Sequence, residues 1–469
     1  MLCEPRRRPR DEESDYESDY DSDHGPFEEE FDGCIPKRLA KLYPYLHDLI
    51  NLSSTCKGLR DLLAPRIFNK LYLQNTTKSA LSVQAIADGN YAHCVKTIQY
   101  VGICKQDQRA APLEEVYPPE LDQVLSNLSI LFPHLHHLTV EFPYHDNERW
   151  IDDFSNCFEG YEDLALAGEK NSTWLAFMAV SFKAIIATPP TETPNQIQSL
   201  EIRHLNPANT STFYADEFHA FLSRLKSFTL SIKPLENGAG WAFNTTQIFN
   251  GFADCLGFWF LENLDNIEEL TFDPSYSAPL GKGEPSQAYW HDIGLWHAEM
   301  RRLQTLTLCN IVICPELQDF LIWHLDTLRS ITLQECYAIQ PDRDDPGVYA
   351  WRHFFPPLAE ALVKEREEDP ASGPNKFEVI YNKPQIKMLD LEDPSPYVDA
   401  DLIARTKEKL AAEPDARVFL YGYVDQKYGG LYPECITPLE EFLLGDDERE
   451  YRKFMAVLVG VQGGRGKTE

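Results

Sequence analysis

Leu303-Gln304-Thr305-Leu306-Thr307-Leu308 is the stretch from which the fold is read, because its pattern returns 25 residues later as Leu328-Arg329-Ser330-Ile331-Thr332-Leu333. Both have the form apolar-x-x-apolar-Thr-apolar. Four more copies precede them: Leu135-x-x-Leu138-Thr-Val140, Ile197-x-x-Leu200-Glu-Ile202, Leu225-x-x-Phe228-Thr-Leu230 and Ile267-x-x-Leu270-Thr-Phe272. Two weaker copies stand earlier, Phe68-x-x-Leu71-Tyr-Leu73 and Val95-x-x-Ile98-Gln-Tyr100. The alternation at the end of each unit is strand spacing, with the apolar residues turned inward and the residue between them turned outward. Recurrence of one short pattern along a chain marks a repeat architecture.

Measured at the second apolar position, the steps between units are 27, 40, 62, 28, 42, 36 and 25 residues. Short steps hold one repeat and long ones hold insertions. The longest contains an added block at about 145–190, with a helix predicted over Trp174, Phe177, Met178, Ser181 and Ile185. Helical spacing also appears at 216–225, at 245–260 and at 316–324, the last opened by Pro315 at a favourable first position. Strand, turn and helix therefore alternate. The fold class this predicts is α/β: a solenoid of parallel strands with helices on the outer side, over residues 69–340. Ile197 to Asn206 matches the leucine-rich-repeat consensus, so the solenoid is read as an irregular leucine-rich-repeat horseshoe.

After Gln340 the repeat fades. A helix at 348–367, a strand at 377–381, a helix at 400–412, a strand at 418–424 and a helix at 446–459 are predicted there. Residues 341–469 are read as a C-terminal cap with added elements, because the last repeat cannot otherwise bury its open side.

The chain has 469 residues and a formal net charge of −31. Of this, −9 falls in residues 1–32, −9 in 341–469 and −13 between them. Such a chain repels polyphosphate and anionic lipid surfaces at long range, which argues against a nucleic-acid partner and against a membrane. Residues 1–32 carry four arginines and then Ser-Asp-Tyr repeats between acids, a composition too poor in apolar groups to offset chain entropy. They read as a disordered acidic tail. Eleven cysteines without a Cys-x-x-Cys pair, and no apolar leader, point to reduced thiols in the cytoplasm or nucleus.

Catalytic chemistry finds little support. The tail Gly463-Gly464-Arg465-Gly466-Lys467-Thr468 lacks the first glycine of a phosphate loop, since Val461 stands there. His134, His136 and His137 have no convergent ligand set, and no metal or cofactor is implied. The protein is read as non-catalytic. Tyr289, Trp290, Trp296 and Trp351 read as core between helix and sheet.

The segment ahead of the repeats differs in character. Leu49, Leu52, Cys56, Leu59 and Leu63 recur at steps of 3, 4, 3 and 4, which predicts one helical face, with Asp48 as N-cap and Pro65 as stop. Ile35-Pro36, followed by Leu46-His-Asp48-Leu49-x-x-Leu52-Ser53-x-Thr55-Cys56-Lys57-x-Leu59-Arg60, resembles an F-box over residues 33–68. The second half of that motif fits closely. The first half is partly degenerate: the interval from Pro36 to Asp48 is short for the family and holds Pro44. With the repeats, the chain resembles the F-box/leucine-rich-repeat proteins of filamentous fungi.

The resemblance implies a substrate receptor of a cullin–RING ubiquitin ligase. Ile35, Pro36, Leu49, Leu52, Cys56 and Leu59 would form the box that binds a Skp-family adaptor, and the repeats would hold an unknown protein substrate. On that implication the outward strand positions form the substrate face: His137, Thr139, Glu141, Ser199, Glu201, Arg203, Thr229, Glu269, Thr271, Thr305, Thr307, Thr332 and Gln334. The alternative is a repeat scaffold that binds partners without ubiquitin chemistry.

Overall fold

A computed structural model describes residues 46–104, 111–143, 161–187, 197–233, 247–275, 279–281, 291–339, 349–369, 373–381, 398–424 and 431–460. The acidic tail, Ile35 and Pro36, most of the early part of the 145–190 block, Tyr289, Trp290 and the glycine-rich C-terminus lie outside the described residues. The chain divides into two compact units, Met1–Leu63 and Ala64–Glu469.

The first unit shows helix α1 (Leu46–Thr55) and most of α2 (Lys57–Ile67). The single helix expected from Asp48 to Pro65 is therefore two. Asp48 lies in the first turn of α1 and Pro65 lies inside α2. The break falls at Cys56 for a local reason. The hydroxyls of Ser53, Ser54 and Thr55 donate to the carbonyls of Ile50, Asn51 and Leu52, and so compete with the helical ladder. Cys56 then accepts the Leu59 N–H through Sγ at 3.5 Å and opens the next helix.

The second unit begins with β1 (Lys70–Gln74), α3 (Thr77–Ala87), β2 (Thr97–Val101), the short helices α4 (Leu113–Val116), α5 (Pro119–Leu125) and α6 (Leu128–Leu131), and β3 (His137–Glu141). It continues through α7 (Glu162–Asn171), α8 (Thr173–Ile186), β4 (Ser199–Leu205), α9 (Asp216–Leu222), β5 (Ser227–Ile232), α10 (Gln247–Trp259), β6 (Glu269–Asp273), β7 (Thr305–Cys309), α11 (Pro315–Trp323) and β8 (Ser330–Gln334). The last part holds β9 (Ala338–Ile339), α12 (Trp351–Glu368), β10 (Lys376–Ile380), α13 (Ala400–Ala412), β11 (Tyr421–Val424), β12 (Leu431–Pro433), α14 (Thr437–Leu444) and α15 (Asp446–Val459).

Nine strands form one sheet in the order β1-β2-β3-β4-β5-β6-β7-β8-β10, and every neighbouring pair is parallel. The fold is α/β, with each unit of the repeat adding the next strand. The second apolar residues of the eight units fall in one row across the sheet: Leu71, Ile98, Leu138, Leu200, Phe228, Leu270, Leu306 and Ile331. Phe377 of β10 continues that row beside Ile331. Here Pro374 stands where the other units have an apolar first residue, so the ninth strand keeps the alternation but loses the full pattern. The whole row is buried. It belongs to one apolar core with the inward faces of the helices, including Val83, Phe177, Phe218, Leu256, Leu317 and Phe354.

Strand ends turn in a shared way. His204, Asn310 and Glu335 each stand four residues after the central apolar residue, and each has a positive φ, of 47°, 53° and 51°. Buried side chains brace the turns. Asn206 donates through Nδ2 to the Phe142 carbonyl at 3.1 Å, and Cys336 through Sγ to that of Leu308 at 3.4 Å.

Beyond β8 the chain builds a second, three-stranded sheet in the order β12-β11-β9. Trp351 of α12 is fully buried and donates through Nε1 to the Leu420 carbonyl at 3.0 Å, while Trp296 is exposed, against its reading as core. Below this lies a buried ionic group. The Asp447 carboxylate accepts the Arg352 N–H at 2.8 Å and the Tyr421 hydroxyl at 2.7 Å, and the Arg352 guanidinium donates to Glu441 at 2.6 Å.

Two outcomes follow from this packing. Leu306→Ala, in the middle of the buried row, is expected to cost about 2–5 kcal/mol. Urea denaturation reads this as a lower midpoint with an unchanged slope. The second concerns pH. Burial pushes Asp447 up to about 6, against the hydrogen bond from Tyr421. An acid raised on folding favours the folded state most when protonated, so its contribution declines as pH rises from 3.8 to about 6. Across that window the stability of Asp447→Asn should gain on that of the wild type.

Candidate functional site

The outward face of the sheet gathers most of the residues expected to contact a partner. Strand register places Thr139, Glu201, Thr229, Thr271, Thr307 and Thr332 in one row. A parallel row holds His137, Ser199, Ser227, Glu269, Thr305 and Ser330. Neighbours along a row are about 4.8 Å apart, the spacing of hydrogen-bonded strands.

On β3 and β4 these side chains bond to one another. Arg203 grips Glu201 with Nε at 2.7 Å and a terminal nitrogen at 2.9 Å. The Thr139 hydroxyl donates to the same carboxylate at 3.0 Å. His137 sits between Ser199, at 2.7 Å from Nδ1, and Thr139, at 3.1 Å from Nε2. Its Nε2 is also 3.6 Å from Glu201. Desolvation alone would raise the Glu201 pKa. The contacts from His137, Arg203 and Thr139 outweigh it and hold the group down to about 2. Glu201 is thus a fixed anion at neutral pH.

A bulge enlarges this network. Pairing of β4 with β5 shifts between Ile202 and Leu205, and the left-handed His204 donates its N–H to the Ser231 hydroxyl at 2.9 Å. The extra residue breaks the alternation, so His204 joins the same face as Arg203. His204 Nδ1 lies 3.4 Å from Glu141. Lys233, just past β5, is lowered by burial to about 8, with Glu141 drawing it back up. Lys70 on β1 is lowered by burial and by the Arg203 charge.

Two of the expected contact residues are not on an open surface. Thr139 and Glu141 are buried, as are Gln99 and Val101 on β2, so the sheet is closed on both faces there. Both are held inside the ionic network. His137, Ser199, Glu201 and Arg203 are half-buried, as are Thr229, Thr271, Thr305, Thr307, Thr332 and Gln334, and Glu269 is exposed. His204, Lys233 and Lys70 are residues that period-two reasoning did not select. The first sits in the bulge and the second lies beyond its strand. The third begins a strand whose unit is weak in sequence, although its alternation was visible.

On the two helices, Leu49 and Leu59 are half-buried, and Leu52 and Cys56 are exposed, Leu52 at 45 %. Ile50 at 39 % and Leu62 at 72 % join them as exposed apolar side chains. Neither belongs to the helical face defined by Leu49, Leu52, Cys56, Leu59 and Leu63.

Compared with known proteins, the chain matches no family model and no curated protein. Among the described residues, no group of three or more His, Cys, Asp or Glu side chains could hold a metal ion. Among them also, no helix is long and apolar enough to cross a membrane.

Glu201→Gln tests the network. At neutral pH it should cost about 1–2 kcal/mol, since hydrogen bonds to a charged group are lost. A depressed carboxyl stabilises the fold above its unfolded pKa, so the gap between wild type and variant should close as pH falls from 4.5 to about 2. Denaturation curves across that range give the gap directly.

Proposed function

We propose that this chain is the substrate-receptor subunit of a cullin–RING ubiquitin ligase. Its α1–α2 segment acts as an F-box that binds a Skp-family adaptor, and its strands and helices act as a leucine-rich-repeat horseshoe that holds a protein substrate. The observation that carries the reading is the exposure of apolar side chains at and beside the motif positions, namely Ile50, Leu52, Cys56 and Leu62. Apolar groups on short helices are usually turned into a core, and several together left open suit a partner's surface. The sequential strand order and the recurring unit Φ-x-x-Φ-x-Φ support the repeat half of the reading.

The mechanism is proximity. A receptor that holds a substrate beside a charged ubiquitin carrier raises its effective concentration and makes transfer nearly intramolecular. The chain itself supplies no catalytic group in this scheme. Such a receptor works in the cytoplasm or nucleus.

Co-purification with a recombinant Skp-family adaptor tests the proposal. Wild-type protein should retain the adaptor. Leu52→Asp with Leu62→Asp should reduce retention at least about tenfold, as expected when two apolar anchors of an interface are lost. Both positions are exposed, so the variant should melt as the wild type does. Failure of the wild-type protein to retain the adaptor overturns the receptor reading and leaves a repeat scaffold.

A further inference from the structure

The outward face of the sheet has two chemically different halves. On β3 and β4 the polar groups are engaged with one another, as in the Glu201–Arg203–Thr139 and His137–Ser199 contacts. On β5–β8 most are open, Ser231 and Asp273 at the strand ends excepted. The hydroxyls of Ser227, Thr229, Thr271, Thr305, Thr307 and Thr332 make no hydrogen bond to another protein group among the described residues. They stand in register on two rows.

Charge divides the face in the same way. Lys70 and Arg203 lie on β1 and β4 at one side, Lys233 lies just past the end of β5, and Lys376 pairs with Glu378 on β10 at the other side. Strands β5–β8 contain no lysine or arginine. Their charged residues are Glu269, exposed and without an ion pair among the described residues, and Asp273, which accepts from Asn310 at 2.7 Å. An array of open hydroxyl acceptors around an unneutralised carboxylate favours donor-rich, positively charged side chains.

We propose that β5–β8 form the docking surface for an extended segment of the partner protein that carries lysine or arginine among small polar residues. The segment lies across the four strands, a width of about 14 Å. Its basic side chains reach Glu269 and the two hydroxyl rows. On β3 and β4 the carboxylates are already engaged by Arg203, Thr139, His137 and His204, and Lys70 on β1 repels such side chains, which sets the position of the segment. The inference deepens the receptor reading and rests on it for the identity of the segment as substrate.

The test uses the full chain without any adaptor, so its outcome is independent of adaptor binding. The probes are two fluorescein-labelled peptides long enough to cross the four strands, one alternating lysine with serine and one alternating glutamate with serine. Anisotropy is read at low salt, where exposed charges are least screened. The lysine peptide should bind the wild type and the glutamate peptide should not. Glu269→Lys should weaken binding about fivefold, from the loss of one exposed ion pair and the gain of one repulsion. Thr307→Arg, in the middle of the face, should do the same or more. Glu408→Lys reverses an exposed charge on α13 and controls for attraction to the net charge of −31. Unchanged binding by Glu408→Lys supports the site. Equal weakening by Glu408→Lys, no effect of Glu269→Lys, or no binding of the lysine peptide overturns it.

Discussion

The row of apolar side chains from Leu71 to Phe377, one per strand and aligned through the whole sheet, is the constraint on which the rest depends. Parallel strands cannot be joined by a tight turn, so every connection must cross back to the starting end. A connection that crosses over the buried face must bring apolar surface to cover it, which is what the inward faces of α3, α8, α9, α10, α11 and α12 do. A slip of one residue in any strand would send its apolar set outward and its outward residues into the core. The register therefore holds even where the connections vary, as in the 62-residue step before β4. Loop entropy rises only slowly with length, so such insertions cost little once the row is in place.

Keeping that register has a consequence at the strand ends. His204, Asn310 and Glu335 take a left-handed backbone at equivalent places, at about 1–2 kcal/mol for a residue with a Cβ. Side-chain bonds from Asn206 and Cys336 help offset this by satisfying carbonyls as the chain leaves the sheet. In β4 the left-handed residue falls at the same place, but the strand runs on past it to Leu205, and the turn becomes the bulge. The bulge brings His204 onto the face where alternation already holds Glu201 and Arg203, and so adds a contact to Glu141. The His204–Glu141 contact is thus a by-product of how one repeat ends.

The polar network makes the outward face unequal. Where β3 and β4 meet, polar groups satisfy one another, and Thr139 and Glu141 are buried. Further along, threonines remain available to a partner. The proposed adaptor helices present a different chemistry, apolar and exposed, so the two proposed interactions would be sensitive to different conditions. Salt screens the sheet face, whereas apolar contacts are nearly indifferent to it.

Much of this was legible in the residues. The repeated alternation identified eight strands and their parallel arrangement, because a period of two and a period of 3.6 leave distinct marks on apolar spacing. Helices α13 and α15 lie where the sequence placed them, and in the structure Asp399 caps one and Gly445 opens the other. The ninth strand was weaker only because Pro374 replaces its first apolar residue. Three features lay beyond local pattern. The division of the F-box-like segment at Cys56 depended on hydroxyl competition for carbonyls. The burial of Thr139 and Glu141 depended on strands far apart in sequence, since Glu201 is 62 residues from Thr139. The recruitment of His204 depended on a register shift between two paired strands. What the sequence determined by itself was which side of each strand faces the core, because that follows from alternation along one chain. Which outward residues are open and which are engaged was decided by the tertiary structure, because it depends on what the neighbouring strand places about 4.8 Å away.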